Sequence, residues 1–206
     1  MSAPGLTSPI RPDAFKQLQL NAGIFLVDFD HSAIANADAL KTAITSAITA
    51  GTNILGVTRG GGTFTVTREI RTPEVDGVRY AFKGQDFIDS TDAYLSGTLL
   101  EVNATNMKRL MSTGEIATEG KKTTVTMHTA VDTDTDYISS LVWIGDIADG
   151  RLIMVVLDNA FNTADFSLTF TDKGEGTMPF EFHARQEDVN DYDKAPFEVV
   201  FFDKAA

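Results

Sequence analysis

Residues 59–102 read RGGGTFTVTREIRTPEVDGVRYAFKGQDFIDSTDAYLSGTLLEV, and this stretch decides the fold class. After three glycines, Thr63, Thr65, Thr67 and Glu69 alternate with Phe64, Val66, Arg68 and Ile70. Successive side chains of a strand point to opposite faces, so this is a strand with one polar and one largely apolar face. Asp76-Gly77 supplies the positive φ that a tight reversal needs, which predicts a second strand over Val78–Gly84 and a third extended stretch over Ala93–Val102. The stretch holds no nucleophile–base pair and no cluster of metal ligands. It reads as a surface-building sheet rather than an active site.

Working outward, strand signals dominate. GIFLVDF (23–29) reads as a short strand. NADALKTAITSAITAG (36–51) predicts the longest helix: Asn36 caps it, Leu40, Ile44, Ala47 and Ile48 share a face, and Gly51 stops it. Its β-branched Thr and Ile residues weaken the helix and leave a structured loop as the alternative. NATNMKRLMSTG (103–114) predicts a short helix packing Met107, Leu110 and Met111, ended by Gly114. Residues 123–129 (TTVTMHT) predict a strand, and 138–158 a hairpin turned at Asp149-Gly150. ADFSLTF (164–170) alternates Phe166, Leu168 and Phe170 against polar residues. It turns through Asp172–Thr177 and pairs back with MPFEFHAR (178–185), where Phe180 and Phe182 point inward. PFEVVFF (196–202) is a last strand. Strands at this spacing predict a mainly β sandwich or barrel with one or two short flanking helices. One domain of 206 residues is expected, with an arm over about residues 1–20, where Pro4, Pro9 and Pro12 break periodicity, and a C-terminal segment over about residues 190–206.

Composition narrows the function. The chain contains no cysteine, which excludes disulfides, thiolate metal sites and cysteine nucleophiles. Its longest apolar runs, such as Leu152–Leu157, are far shorter than a membrane span, and MSAPGLTSPIRPDAF lacks the apolar core of a secretory signal. The net charge of −12 is uneven. Residues 1–128 hold 12 Lys+Arg against 13 Asp+Glu; residues 129–206 hold 5 against 16. Such a chain does not grip nucleic acid through its phosphates, which takes clustered Lys and Arg. The acidic excess either keeps the protein dispersed or lines a passage for a polyanion.

Motifs for chemistry fail on their own terms. GVTRGGGT (56–63) resembles a phosphate-binding loop, but Gly62 stands where the lysine belongs and a strand follows instead of a helix. Asp132, Asp134 and Asp136 open like a calcium loop, but Tyr137 replaces the required glycine and Trp143 the bidentate glutamate; an exposed Asp/Thr turn is expected. His31, His128 and His183 are scattered, with none in a nucleophile elbow, and His128 and His183 are assigned to polar strand faces. Asp28 and Asp30 read as an exposed pair. No cofactor, metal or catalytic residue is expected.

A family resemblance supplies the function class. GVTRGGGTFTVTREIRTPEVDGVRYAFKG (56–84) and LSGTLLEVNATNMKRLM (95–111) are similar to the tail tube, or major tail, proteins of long-tailed bacteriophages. DGRLIMVVLDNAFNTADFSLTFTDKGEGTMPFEFHARQ (149–186) matches the same family in the same order. The resemblance implies hexameric rings whose sheets join into one inner barrel and stack into a tube through which phage DNA leaves the capsid. It further implies a virion location after assembly in the bacterial cytoplasm, with tail assembly initiator, tape-measure and terminator proteins as partners and DNA as a transient passenger only. By the same resemblance the loop around Arg71–Asp92 reaches the adjacent ring, and its Arg71, Glu74, Asp76, Arg79, Lys83, Asp86 and Asp89 suit polar inter-ring contacts; an ordinary solvated hairpin is the alternative. The polar face Thr63, Thr65, Thr67 and Glu69 is the candidate lumen lining, with solvent outside the tube as its alternative; Phe64, Val66 and Ile70 then pack the core. A β-sandwich binding or adhesin-like module is the competing class, and the tube of a related injection or secretion device a variant of the first. An enzyme ranks last for want of a site.

Overall fold

The computed structural model describes residues 14–190 and 193–204. Its elements are a short 3-10 helix Ala14–Gln17, strands β1 Ile24–Val27, β2 Thr58–Arg71, β3 Phe87–Leu99, β4 Gly114–Glu119, β5 Lys122–Met127, β6 Ile138–Asp146, β7 Leu152–Asn162, β8 Met178–His183 and β9 Phe197–Phe202, and helices α1 Ala37–Ala50 and α2 Ala104–Leu110. The fold is mainly β with two helices.

Seven strands form one antiparallel path, β1-β6-β7-β8-β3-β2, with β9 on β7. The path splits along β7. Its first half, Leu152–Leu157, lies between β6 and β9, while its end, Phe161 and Asn162, hands the sheet on to β8. The β8-β3-β2 part therefore turns over and covers the β1-β6-β7-β9 part, making a sandwich. Side chains alternate along β6 and β7 into two cores. Leu141, Val155 and Leu157 meet Phe25, Leu95, Phe180 and Phe182 between the sheets. Val142, Met154 and Val156 meet Leu40 of α1 on the outer side. A strand buried on both faces reads as a continuous apolar run, which is why LVWI and LIMVVL show no polar alternation.

Helix α1 forms as its sequence dictates. The Asn36 side chain accepts from Ala39 N–H at 2.9 Å, and Gly51 closes the end in the left-handed conformation. Leu40 is buried and Ile44 and Ala47 pack against the outer core. Ile48, expected on the same face, is instead more than half exposed. It borders an open groove between α1 and the sheet residues Ile24, Ile144 and Leu152.

Four local expectations are corrected. Val78–Gly84 is not a strand; residues 72–86 form a loop that satisfies its own backbone, with Val78 N–H donating to Val75 O, Gln85 N–H to Phe82 O, and the Gln85 side chain bonding Phe82 N–H and Pro73 O. Gly77 does take positive φ, but within this loop. The returning strand is β3, which begins at Phe87 rather than Ala93. The short helix ends at Leu110, capped by Met111, and Gly114 opens β4, a strand unforeseen in the sequence that pairs with β5. Residues 164–170 keep alternating burial but make a single bridge, Thr169 to Thr177; β8 pairs with β3 and β7 instead, and Phe170 stands exposed.

At the ends of the chain, residues 1–13 of the expected arm lie outside the described residues. Residues 18–20 run beside the β6–β7 turn, with Ala148 N–H donating to Leu18 O and Leu20 N–H to Asp146 O. The C-terminal segment contributes β9, paired with Leu152–Leu157.

Candidate functional site

The β2–β3 hairpin combines three features: an open edge, a polar face and a projecting tip. The edge belongs to β2. One side of this fourteen-residue strand pairs with β3, and among the described residues nothing pairs with the other. The glycines set where the strand enters the sandwich. Gly60 and Gly61 have positive φ at an irregularity between Thr58 and Gly62. A Cβ on Gly62 would lie 2.5 Å from the Phe25 ring and 2.9 Å from Ser96 O, so only glycine lets β2 cross β1 this closely. The phosphate-loop likeness of GVTRGGGT thus ends in a strand start.

The polar face follows from the register. Thr63 lies opposite Ser96, Thr65 opposite Tyr94, Thr67 opposite Asp92 and Glu69 opposite Ser90. Ser96 in turn faces Glu181, and Tyr94 faces His183. Opposed residues share a face, so these side chains make one surface turned away from the core. Thr63, Thr67 and Glu69 are exposed and Thr65 half-buried. Phe64 and Val66 on the reverse pack against the inter-sheet core, but Ile70 is exposed, because the hairpin has by then outrun the sandwich. Arg68, on the same side, borders an open cleft with Ile88, Pro196 and Phe197.

Sequence reading put His183 on a polar strand face but missed Asp92, Tyr94 and Glu181 beside it. His183 is held between two carboxylates: Nδ1 lies 2.7 Å from Asp92 Oδ2 and Nε2 3.0 Å from Glu181 Oε1, with the Tyr94 ring stacked at 4.9 Å. Arg185 reaches Asp92 Oδ1 at 3.5 Å. Their separation in sequence hides them. Only the pairing of β8 with β3 brings residue 183 beside residue 92.

At the tip, three of the seven loop charges are already engaged. Arg71 Nε donates to Asp89 Oδ2 at 2.9 Å and its guanidinium sits over Phe87, while Thr72 donates to Asp86. Glu74, Asp76, Arg79 and Lys83 make no ion pair or side-chain hydrogen bond among the described residues. Between the free charges, Val75, Tyr80 and Phe82 are exposed, Tyr80 at 84%. Exposed apolar side chains thus stand among the charges expected to make polar contacts. The tip is RYAFK, apolar side chains flanked by cations, a period-two signal legible in the sequence.

No protein-family model matches this chain, and no curated protein matches it.

The remaining motifs resolve into local structure. Asp136 turns its buried carboxylate onto Asp132 N–H at 2.7 Å and His128 Nε2 at 3.1 Å. Asp132 accepts from Asp134 N–H, so the three aspartates close a turn. Among the described residues no group of three His, Asp or Glu could hold a metal. Asp28 and Asp30 are both exposed, as expected, and each has its own partners. Asp28 accepts from Ser139 N–H and Oγ and lies 3.9 Å from Arg109, whereas Asp30 accepts from Ser32 N–H and Oγ. The Ser32 hydroxyl, then its N–H, holds the Asp30 carboxyl below its ordinary range. Burial lowers the Arg109 guanidinium, opposed by Asp28. His31 lies 3.4 Å from Glu198. No helix among the described residues is long and apolar enough to cross a membrane.

Proposed function

We propose that this chain is the subunit of a phage tail tube. Copies join sheet to sheet into hexameric rings, and rings stack through the β2–β3 hairpin into a tube that conducts DNA. The observation that carries the reading is the outer edge of β2, unpaired among the described residues, running into a tip whose apolar side chains Val75, Tyr80 and Phe82 are exposed. An open edge is a template for another chain, and ring closure removes it by pairing it with the next copy. The Thr/Ser face with its carboxylates and the net charge of −12 suit a wall that DNA slides past without binding.

Negative-stain microscopy of the purified protein at raised concentration, alone and with a tail assembly initiator, tests this. Rings or tubes are the expected result, and monomer under both conditions overturns it. The second reading, a β-sandwich binding module, draws on exposed Tyr80, Phe82 and Phe170, and predicts that monomer.

A further inference from the structure

The sequence holds two Asp-Gly pairs, Asp76-Gly77 and Asp149-Gly150, and no Asn-Gly. In such a pair the backbone nitrogen of the glycine can attack the side-chain carboxyl of the aspartate, because glycine has no Cβ to obstruct the approach. The fold treats the two pairs in opposite ways. At Asp149-Gly150 both reacting groups are held. Asp149 Oδ1 accepts Arg151 N–H at 3.1 Å and Oδ2 accepts Arg151 Nε–H at 2.7 Å. The Arg151 N–H above all keeps this carboxyl below its ordinary range, in the ionised form that resists attack. The attacking nitrogen is engaged as well, since Gly150 N–H donates to Ile147 O at 2.9 Å within the β6–β7 turn.

At Asp76-Gly77 neither group is held. Both residues are exposed. Among the described residues the Asp76 carboxyl has no ion pair or hydrogen bond, and Gly77 N–H has no acceptor. A Cβ on Gly77 would meet nothing within 4 Å, so no packing opposes the rotation that brings its nitrogen onto Asp76 Cγ. One long bond closes the turn around the pair, Val78 N–H to Val75 O at 3.3 Å.

We propose that Asp76-Gly77 is a site of covalent self-modification, at which the chain isomerises through a succinimide to isoaspartate while Asp149-Gly150 stays intact. The Gly77 nitrogen loses its proton and bonds to Asp76 Cγ, and one carboxyl oxygen leaves Cγ as water. A second water then opens the ring. Attack at Cγ restores aspartate; attack at the Asp76 main-chain carbonyl leaves the backbone running through the side chain. One water leaves and one enters, so mass is unchanged and no oxidant is needed. The product adds a methylene to the backbone between Val75 and Val78 and leaves a carboxylate on the α-carbon, which is the group an isoaspartyl carboxyl methyltransferase recognises. The change stays outside the sandwich, because the β2–β3 ladder ends at Arg71 and Phe87.

The test incubates the dilute full chain at mildly alkaline pH in water enriched in heavy oxygen, folded and in urea, and maps its tryptic peptides. Residues 72–79 carry the first pair and residues 123–151 the second. Each ring opening leaves one heavy oxygen in the peptide, and isoaspartate gives a second chromatographic peak that the methyltransferase labels. In the folded chain Asp76 is expected to convert at least about tenfold faster than Asp149, whose turn must open first; in urea the two rates are expected to converge. The converted protein is expected to melt as the fresh protein does. Asp76→Glu, whose longer side chain closes a ring far less readily, is expected to lose the signal. Equal conversion of both pairs in the folded chain, or no conversion of Asp76 there while the unfolded chain converts, overturns the proposal.

Discussion

At the residue scale, the positions that matter most for folding are those where one side chain serves several elements. Asn162 is 3% exposed. Its amide donates to Leu110 O at 2.7 Å and Ala164 O at 3.2 Å, and its carbonyl accepts Glu181 N–H at 2.8 Å. It therefore ties α2, the strand exit and β8 together at the point where the sheet changes partner. Asn162→Ala strands the Leu110 and Ala164 carbonyls and the Glu181 N–H, for an expected loss of about 3 kcal/mol. A urea midpoint within error of wild type would show that water replaces the amide. Gly62→Val is expected to cost about 1–3 kcal/mol by driving into the Phe25 ring, and an unchanged melting temperature counts against that contact. Neither role was legible beforehand. Asn162 sits in an ordinary polar–apolar run, and Gly62 announces a loop by composition while serving a close crossing.

Legibility improves at the scale of elements, where periodicity reports burial. The caps of α1, the strands β6, β7 and β9, and the inward Phe180 and Phe182 were readable because their environment repeats along the chain. Failures came where local pattern had no tertiary partner. Val78–Gly84 alternates like a strand, but Gln85 and the turns at Val75 and Phe82 satisfy its backbone first. β4 was missed because Gly114 looks like a helix stop. The hairpin tip shows the consequence for function. Arg79 and Lys83 are exposed and unpartnered among the described residues, so reversing them disturbs no contact within the subunit. Arg79→Glu with Lys83→Glu is expected to change folding stability by no more than ~0.5 kcal/mol, while raising the concentration needed for tubes. Light scattering at graded concentrations checks this, and a double variant that builds tubes of normal length at the wild-type concentration refutes it.

At the scale of the whole molecule, the tube proposed above requires one surface that DNA would pass. Among the described residues, the polar face of β2, β3 and β8 is covered by neither α1 nor the opposing sheet. It carries Glu69, Asp92 and Glu181 against His183 and Arg185, with Thr63, Thr65, Thr67, Ser90 and Ser96 between them. Asp92 and Glu181 are partly matched by their basic neighbours; among the described residues Glu69 accepts only from the Ser90 hydroxyl, at 3.3 Å. Glu69 thus holds the least compensated charge of the face, and the proposed ring symmetry would turn it into a band of negative potential at each level. Each cation held against a phosphate adds a contact that moving DNA must break. Glu69→Lys exchanges repulsion for such contacts at a site where the side chain is exposed and packs against nothing in the core. Tubes of Glu69→Lys are therefore expected to assemble normally, to retain duplex DNA in low salt where wild-type tubes release it, and to slow ejection from particles built with them. The retention should vanish as salt is raised, because the added contacts are electrostatic. Wild-type release and ejection kinetics from intact Glu69→Lys tubes would place this face on the outside of the tube and give the lumen to other strands.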